Sequence, residues 1–219
     1  MELYNKTKLL ELLSGIKSVG KVAEQLGYDV TSLDLKDADI NIDILNWDYY
    51  QYQPNHFDVI WASPPCTEYS RALTTRVRKI EEANSIVERT LAIIEYLQPK
   101  HYIIENPQTG LLKDQWFMSF LPYTDIDYCK YGMPYRKRTR LWNNVFNWRP
   151  RPLCKKDCDS MVGNRHKATA QRMPSGRKQD WGDQPLFDQS DLYVIPEALI
   201  YEIFGGILSS MPSSNELAD

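Results

Sequence analysis

Between residues 57 and 105 the chain reads as a strand, a helix and a second strand, and this unit constrains the fold more than any other feature. Residues 57–62, FDVIWA, are a short apolar run stopped by Pro64-Pro65, which lack the amide hydrogens a ladder needs. Residues 80–98 place Ile80, Ala83, Val87, Leu91, Ile94 and Leu97 at helical spacing. Glu81, Glu88 and Arg89 fall off that face, and Pro99 ends the run. Residues 101–105, HYIIE, form the next strand, closed by Asn106-Pro107. Upstream, residues 8–14 read as a strand, 20–27 as a helix capped by Gly27, and 29–34 as a strand, with a further short strand within 40–45. Strand and helix alternating through residue 110 predict an α/β fold: a doubly wound, mostly parallel sheet with helices on both faces.

The remainder breaks this rhythm. Asp125–Cys129 and Thr139–Val145, joined by a short turn around Gly132 and Pro134, predict an antiparallel strand pair. Residues 149–192 contain Pro150, Pro152, Pro174 and Pro185 with little periodicity and predict a small basic irregular region. A last helix is expected from Pro196 to Phe204, ended by Gly205-Gly206 and followed by a frayed tail. The expected units are residues 1–148, 149–192 and 193–219.

Charge is distributed unevenly. Lys130 to Lys178 hold 14 basic residues against Asp157 and Asp159, about +12, while the rest of the chain carries about −15. An acidic body with a basic strip suits a nucleic-acid binder, and Arg149, Arg151, Lys155, Lys156, Arg165, Lys167, Arg172, Arg177 and Lys178 are expected to meet phosphates. Trp142, Trp148 and Trp181 are candidates for base stacking or for the core. No apolar run approaches the roughly 18 residues of a membrane span, and the N-terminal stretch has no signal-peptide pattern. A cytoplasmic monomer without membrane contact is expected.

In a doubly wound sheet, ligands bind at the carboxyl ends of the strands. Four segments lie there. Glu11-Leu-Leu-Ser-Gly15 leads toward the first helix, whose start offers amide donors, though any strand-to-helix turn could look the same. Asp34 ends the second strand, where a carboxylate can accept ribose hydroxyls, and Asp43-Ile44 follow the third. Cys66 follows a stiff Pro-Pro turn, a place unlike that of a buried packing thiol. Glu105-Asn106 end the next strand, and adjacent strands put Glu105 and Cys66 at one rim, where the carboxyl can serve as a proton donor.

Taken in order, these residues resemble the DNA cytosine-5 methyltransferases. Leu12-Leu-Ser-Gly15 is similar to the family's first motif, and Asp34 and Asp43-Ile44 to the next two. Ser63-Pro-Pro-Cys66 is similar to the nucleophile motif, Glu105-Asn106 to the Glu-Asn motif, and Tyr131-Gly-Met-Pro134 with Arg138-Thr-Arg140 to the arginine motif. The resemblance covers residues 8–146 and implies a Rossmann-like class I methyltransferase, in the manner of short phage or prophage members, acting in a bacterial or phage-infected cell. It implies S-adenosylmethionine as methyl donor, held by Glu11, Leu13, Ser14, Gly15, Ser18, Val19, Asp34, Leu35, Asp43, Ile44, Ser63 and Pro64. It implies DNA as partner. Cys66 would add to cytosine C6, Glu105 would hydrogen-bond the ring, and Arg138 and Arg140 would hold the flipped base.

The chain departs from the family pattern in several places, among them an extra residue in Tyr135-Arg136-Lys137 and no visible closing Gly-Asn-Ser motif. Lys17 stands where a second glycine is usual, and Thr67 where a Gln follows the nucleophile. The Gln before the arginines is missing, and only some 45 residues remain for target recognition. Two other readings remain: an amino-methyltransferase acting on cytosine N4 or adenine N6, and an inactive DNA-binding module. Cys66 speaks against the first, where an aromatic residue would stack on the base; the joint presence of Cys66, Glu105 and both arginines speaks against the second. Cys154, Cys158, His166 and Cys129 have metal-ligand chemistry, but without clear paired spacing no metal is assigned.

Overall fold

Seven strands form one sheet in the order β3-β2-β1-β4-β5-β7-β6 in a computed structural model that describes residues 6–170 and 191–209. They are β1 (Lys8–Leu12), β2 (Asp29–Asp34), β3 (Ile40–Asn41), β4 (Val59–Ala62), β5 (His101–Pro107), β6 (Tyr123–Asp127) and β7 (Arg138–Asn143). The first five run parallel, and β7 lies antiparallel between β5 and β6. The doubly wound sheet with an antiparallel pair is therefore present, and the chain reverses its direction of build-up between β1 and β4.

Alternate residues of each strand feed the two faces. Leu9, Val59, Trp61, Ile103 and Leu141 pack beneath helices α1 (Ser18–Gln25) and α3 (Glu197–Ser209). Leu10, Leu12, Ile60, Ala62, Ile104 and Trp142 pack beneath α2 (Ile80–Leu97). Parallel strands covered on both sides read as continuous apolar runs, which is why VIWA is buried at every position.

Several boundaries differ from expectation for physical reasons. The fully buried stripe of α2 is Ala83, Val87, Thr90, Ile93 and Leu97, so Leu91 and Ile94 sit at its margin. Thr90 is accommodated because its hydroxyl donates to the Ile86 carbonyl at 2.9 Å. Helix α3 continues through Gly205-Gly206 to Ser209, since Ile207 beyond the glycines is buried in the core. Within Asp191–Ser209, a stretch of 19 residues, an 18-residue window has mean hydropathy 1.4, long and apolar enough to cross a membrane by length and composition. That corrects the expectation that no run approaches this length. Here Leu199, Ile200, Ile203, Phe204 and Ile207 are buried in the core that also holds Val19 and Val22 of α1.

The described part of the 149–192 region contains a two-stranded ribbon, β8 (Met161–Val162) and β9 (Arg165–His166). Arg172, Arg177, Lys178, Trp181, Pro174, Pro185 and the C-terminal tail lie outside the described residues. Trp142 and Trp148 belong to the core.

Candidate active site

The carboxyl ends of β1, β2, β4 and β5 open on a cavity of about 370 Å³ at the reversal point of the sheet. Of the residues singled out from sequence, Glu11, Leu13, Ser14, Gly15, Ser18, Asp34, Leu35, Asp43, Ile44, Ser63, Pro64, Cys66 and Glu105 all line it. A separate cavity of about 350 Å³, lined by Lys8, His56, Asp58 and Lys100, lies at the opposite, amino-terminal rim.

The loop from β1 to α1 is built by backbone torsion and one carboxylate. Leu13, Gly15 and Lys17 take φ of 57°, 53° and 57°. Lys17 thus occupies the left-handed region that glycine enters most easily, at a strain of roughly 1 kcal/mol. Its side chain is half-buried and is not among the cavity's lining residues, so the departure falls on the backbone and not on the ligand space. Glu11, itself buried, accepts the amides of Val19 at 3.3 Å and Gly20 at 3.0 Å. Gly20 makes this approach possible, because a Cβ there would lie 2.6 Å from Glu11 Oε2. Val19 accordingly works through its amide and does not line the cavity.

Burial raises the Glu11 carboxyl from 4.5 to about 7 against the lowering effect of the two amides. The folded state therefore binds more protons than the unfolded chain between those values. Stability from this group is fully present below pH 4.5 and is lost as pH rises through about 7, by up to roughly 3 kcal/mol. Denaturant titrations at pH 5 and pH 8 are expected to show a smaller decline for Glu11→Gln than for the wild type. Equal declines would contradict this account.

Asp34 Oδ2 accepts the Gly15 amide at 2.8 Å and Oδ1 the Leu35 amide at 2.7 Å, tying the β2 end to the glycine loop. Asp43 Oδ1 accepts the Leu45 amide at 2.9 Å. Ser14 Oγ is buried with no hydrogen-bond partner. Three carboxyls and an orphaned hydroxyl around one apolar-floored space suit a cationic ligand that carries hydroxyls.

At the other end, β4 delivers the Pro-Pro turn. Asn106 Nδ2 donates to the Pro64 carbonyl at 2.8 Å, so the residue after Glu105 fixes the turn that presents Cys66. Burial, then the charge of Glu105, raise the Cys66 thiol above its usual value, while Lys137 opposes them. Glu105 is buried; its Oε1 accepts from the Tyr128 hydroxyl at 2.9 Å and lies 3.7 Å from Lys137 Nζ. Burial first, then the charge of Glu105, raise Tyr128 well above its usual value, so it remains a protonated donor.

Arg138 and Arg140 are not brought to the cavity. Arg138 is bidentate to Asp127 at 3.0 and 2.7 Å, and Arg140 to Asp125 at 2.7 and 2.9 Å, with Arg140 also over the Tyr123 ring. Strand parity explains this. In the β5–β7 ladder Asn106 faces Arg140 and Glu105 faces Leu141, so the arginines share the face opposite to Glu105. Lys137, of the other parity, lines the cavity instead. Tyr193 and Ile195, just before α3, close the wall together with Ile16, Ile42, Pro65, Thr67, Ile86 and Pro107. Among the described residues, five bases of the basic strip are ion-paired internally: Lys130, Lys137, Arg138, Arg140 and Arg151, with Asp157, Glu105, Asp127, Asp125 and Glu202.

A parallel sheet with an antiparallel strand beside β5, and a cavity at its reversal point, defines the Rossmann-like fold of methyltransferases. The chain superposes on the Entamoeba histolytica methyltransferase EhMeth with TM-score 0.51 at 15% identity, over 78% of this chain and 63% of that one. It superposes on the E. coli protein named "putative DNA modification methyltransferase encoded within prophage" with TM-score 0.51 at 14% identity, over 68% of this chain and 52% of that one. The chain thus matches 52–63% of the length of these structures, and the likeness concerns the fold. No family model matches the chain. Over 218 residues it is 34% identical to the frog virus 3 (isolate Goorha) protein named "Probable DNA (cytosine-5)-methyltransferase", covering 90% of this chain and 98% of that protein. The chain belongs to the DNA (cytosine-5)-methyltransferase family.

Proposed function

We propose that this protein transfers a methyl group from S-adenosylmethionine to C5 of a cytosine flipped out of DNA, through a covalent bond to Cys66. One observation carries the reading: Cys66 and Glu105, from neighbouring parallel strands, line the same cavity as Glu11, Asp34 and Asp43. The carboxyl-rich end would hold S-adenosylmethionine, with Asp34 and Asp43 toward its hydroxyls and Glu11 toward its cationic end. The donor supplies an activated methyl on positively charged sulfur. Cytosine C5 is a weak nucleophile until Cys66 gives its thiol proton to the Glu105 carboxylate, its Sγ bonds to C6, and Glu105 passes that proton to N3; C5 then behaves as an enamine carbon. After methylation, the C5 proton passes to a base, the Sγ–C6 bond breaks, and N3 returns its proton to Glu105.

Lys137 is proposed as the cation that lowers the thiol, with Arg138 and Arg140 bracing β7 through their aspartates. Lys137→Met is expected to move the rising limb of the kcat/KM–pH profile to higher pH, because the opposing charge on Cys66 is gone. An unmoved limb would remove Lys137 from this role. The remaining bases of the strip are proposed to meet DNA phosphates.

Covalent capture tests the whole reading. With S-adenosylmethionine and duplex DNA carrying 5-fluorocytosine, fluorine at C5 blocks the final elimination, so a denaturant-stable protein–DNA adduct is expected. Amino-methylation without any adduct, in an enzyme that binds the donor, would replace this reading with the cytosine N4 or adenine N6 reaction.

A further inference from the structure

We propose that the protein carries a structural zinc ion held by Cys129, Cys154, Cys158 and His166. This rests on the side-chain cluster alone and is independent of the methyl-transfer reading. The four residues come from three places in the chain: the 3-10 turn Tyr128–Tyr131, the loop after Trp148, and strand β9. Their ligand atoms all lie within 4.8 Å of one another, and Cys154 Sγ is 3.5 Å from His166 Nε2. In a tetrahedral site with Zn–S near 2.3 Å and Zn–N near 2.0 Å, sulfur and nitrogen ligands stand about 3.5 Å apart and two sulfurs about 3.8 Å. Three thiols with an imidazole form a closed ligand set of the kind zinc takes in structural sites, with no position left for substrate.

The surrounding backbone is shaped to present thiolates. Lys156 takes φ of 66°, and its amide donates to Cys154 Sγ at 3.3 Å, a contact that steadies a metal-bound sulfur. Gly163, at φ 57°, turns the β8–β9 ribbon so that His166 returns to the cluster. Cys129 and Cys154 are buried. A ribbon of two residues per strand cannot hold itself together in water, and a metal staple supplies what its core lacks. Zinc with three thiolates leaves one net negative charge, and Lys130, Lys155 and Lys156 flank the ligands in sequence.

The site also reaches the cavity. Cys129 follows Tyr128, whose hydroxyl donates to Glu105, and the Cys154 amide donates at 2.9 Å to Asp127, which clamps Arg138. The metal would therefore pin the basic ribbon to the floor beneath Glu105.

Metal analysis of the untagged chain, purified in reductant, provides the test. Zinc equimolar with protein is expected, and exchange with Co(II) should give the visible absorption of a tetrahedral thiolate site. Cys158→Ser and His166→Ala should each lose most of the zinc, whereas Cys66→Ser, at a thiol outside the cluster, should keep it. The Co(II) spectrum of the wild type needs no variant to fold. Reduced wild type that neither contains zinc nor gives the Co(II) spectrum would overturn the proposal. So would zinc retained in full by both ligand variants, or a disulfide between two of the cluster's cysteines in metal-free protein.

Discussion

Cys66→Ala is expected to abolish methyl transfer and 5-fluorocytosine capture together, while the thermal shift produced by S-adenosylmethionine remains close to that of the wild type. The size of the loss follows from the chemistry. Without addition at C6 there is no enamine, and cytosine C5 has no lone pair to offer a methyl group, so no slower variant of the same route is left. The selectivity follows from geometry. Cys66 lies beyond the Pro-Pro turn toward Glu105 and Lys137, whereas Glu11, Asp34 and Asp43 stand at the ends of other strands or the loop after β3. The turn itself is held by the Asn106 bond to the Pro64 carbonyl, which does not involve the thiol. Removing one sulfur should leave the donor's surroundings in place. Parallel loss of donor binding and turnover would mean that Cys66 supports the cavity wall and is not the nucleophile. Cys66→Ser gives the graded control, because a hydroxyl at the same place is far harder to ionise than a thiol that burial has already raised.

Most of the sheet is legible in the sequence because parallel strands covered on both faces are short apolar runs punctuated by Gly, Pro or Asn. FDVIWA-Ser-Pro-Pro and HYIIE-Asn-Pro announce both their length and their exits. What escaped was set by tertiary packing or by parity. Helix α1 begins at Ser18 because Lys17 takes the left-handed torsion that ends the loop, and a lysine does not advertise that torsion. Lys137 was legible in principle. In an antiparallel pair, Glu105 shares a face with residues of the parity of Leu141, which include Lys137 and exclude both arginines. The Asp125-Ile-Asp127 and Arg138-Thr-Arg140 runs carry the same two-residue period on paired strands, a signal that the arginines are matched to carboxylates. The convergence of Cys129 with Cys154, Cys158 and His166 was not legible, since 24 residues lie between the first two and only the packing of the ribbon closes the gap.

Glu105→Gln is expected to lower turnover by a factor of about 10² to 10⁴, the range for a lost acid–base group, with donor binding again unchanged. Glutamine keeps the shape and can still accept the Tyr128 hydroxyl, so the fold around β5 has no reason to shift. What it lacks is a proton for cytosine N3 when the thiol adds. Adduct formation with 5-fluorocytosine should therefore slow in proportion to turnover, because addition at C6 precedes the step that fluorine blocks. Tyr128→Phe separates chemistry from orientation. Tyr128 holds Glu105 Oε1 at 2.9 Å and is kept protonated by burial, so it acts only through the carboxyl. If so, Tyr128→Phe costs less than Glu105→Gln, and the double variant is no slower than Glu105→Gln alone, since a positioning residue has nothing left to position. Additive losses in the double variant would instead put Tyr128 in direct contact with the base. A reduction below tenfold for Glu105→Gln would transfer the proton to another donor, and Lys137, 3.7 Å from the same oxygen, is the group to test next.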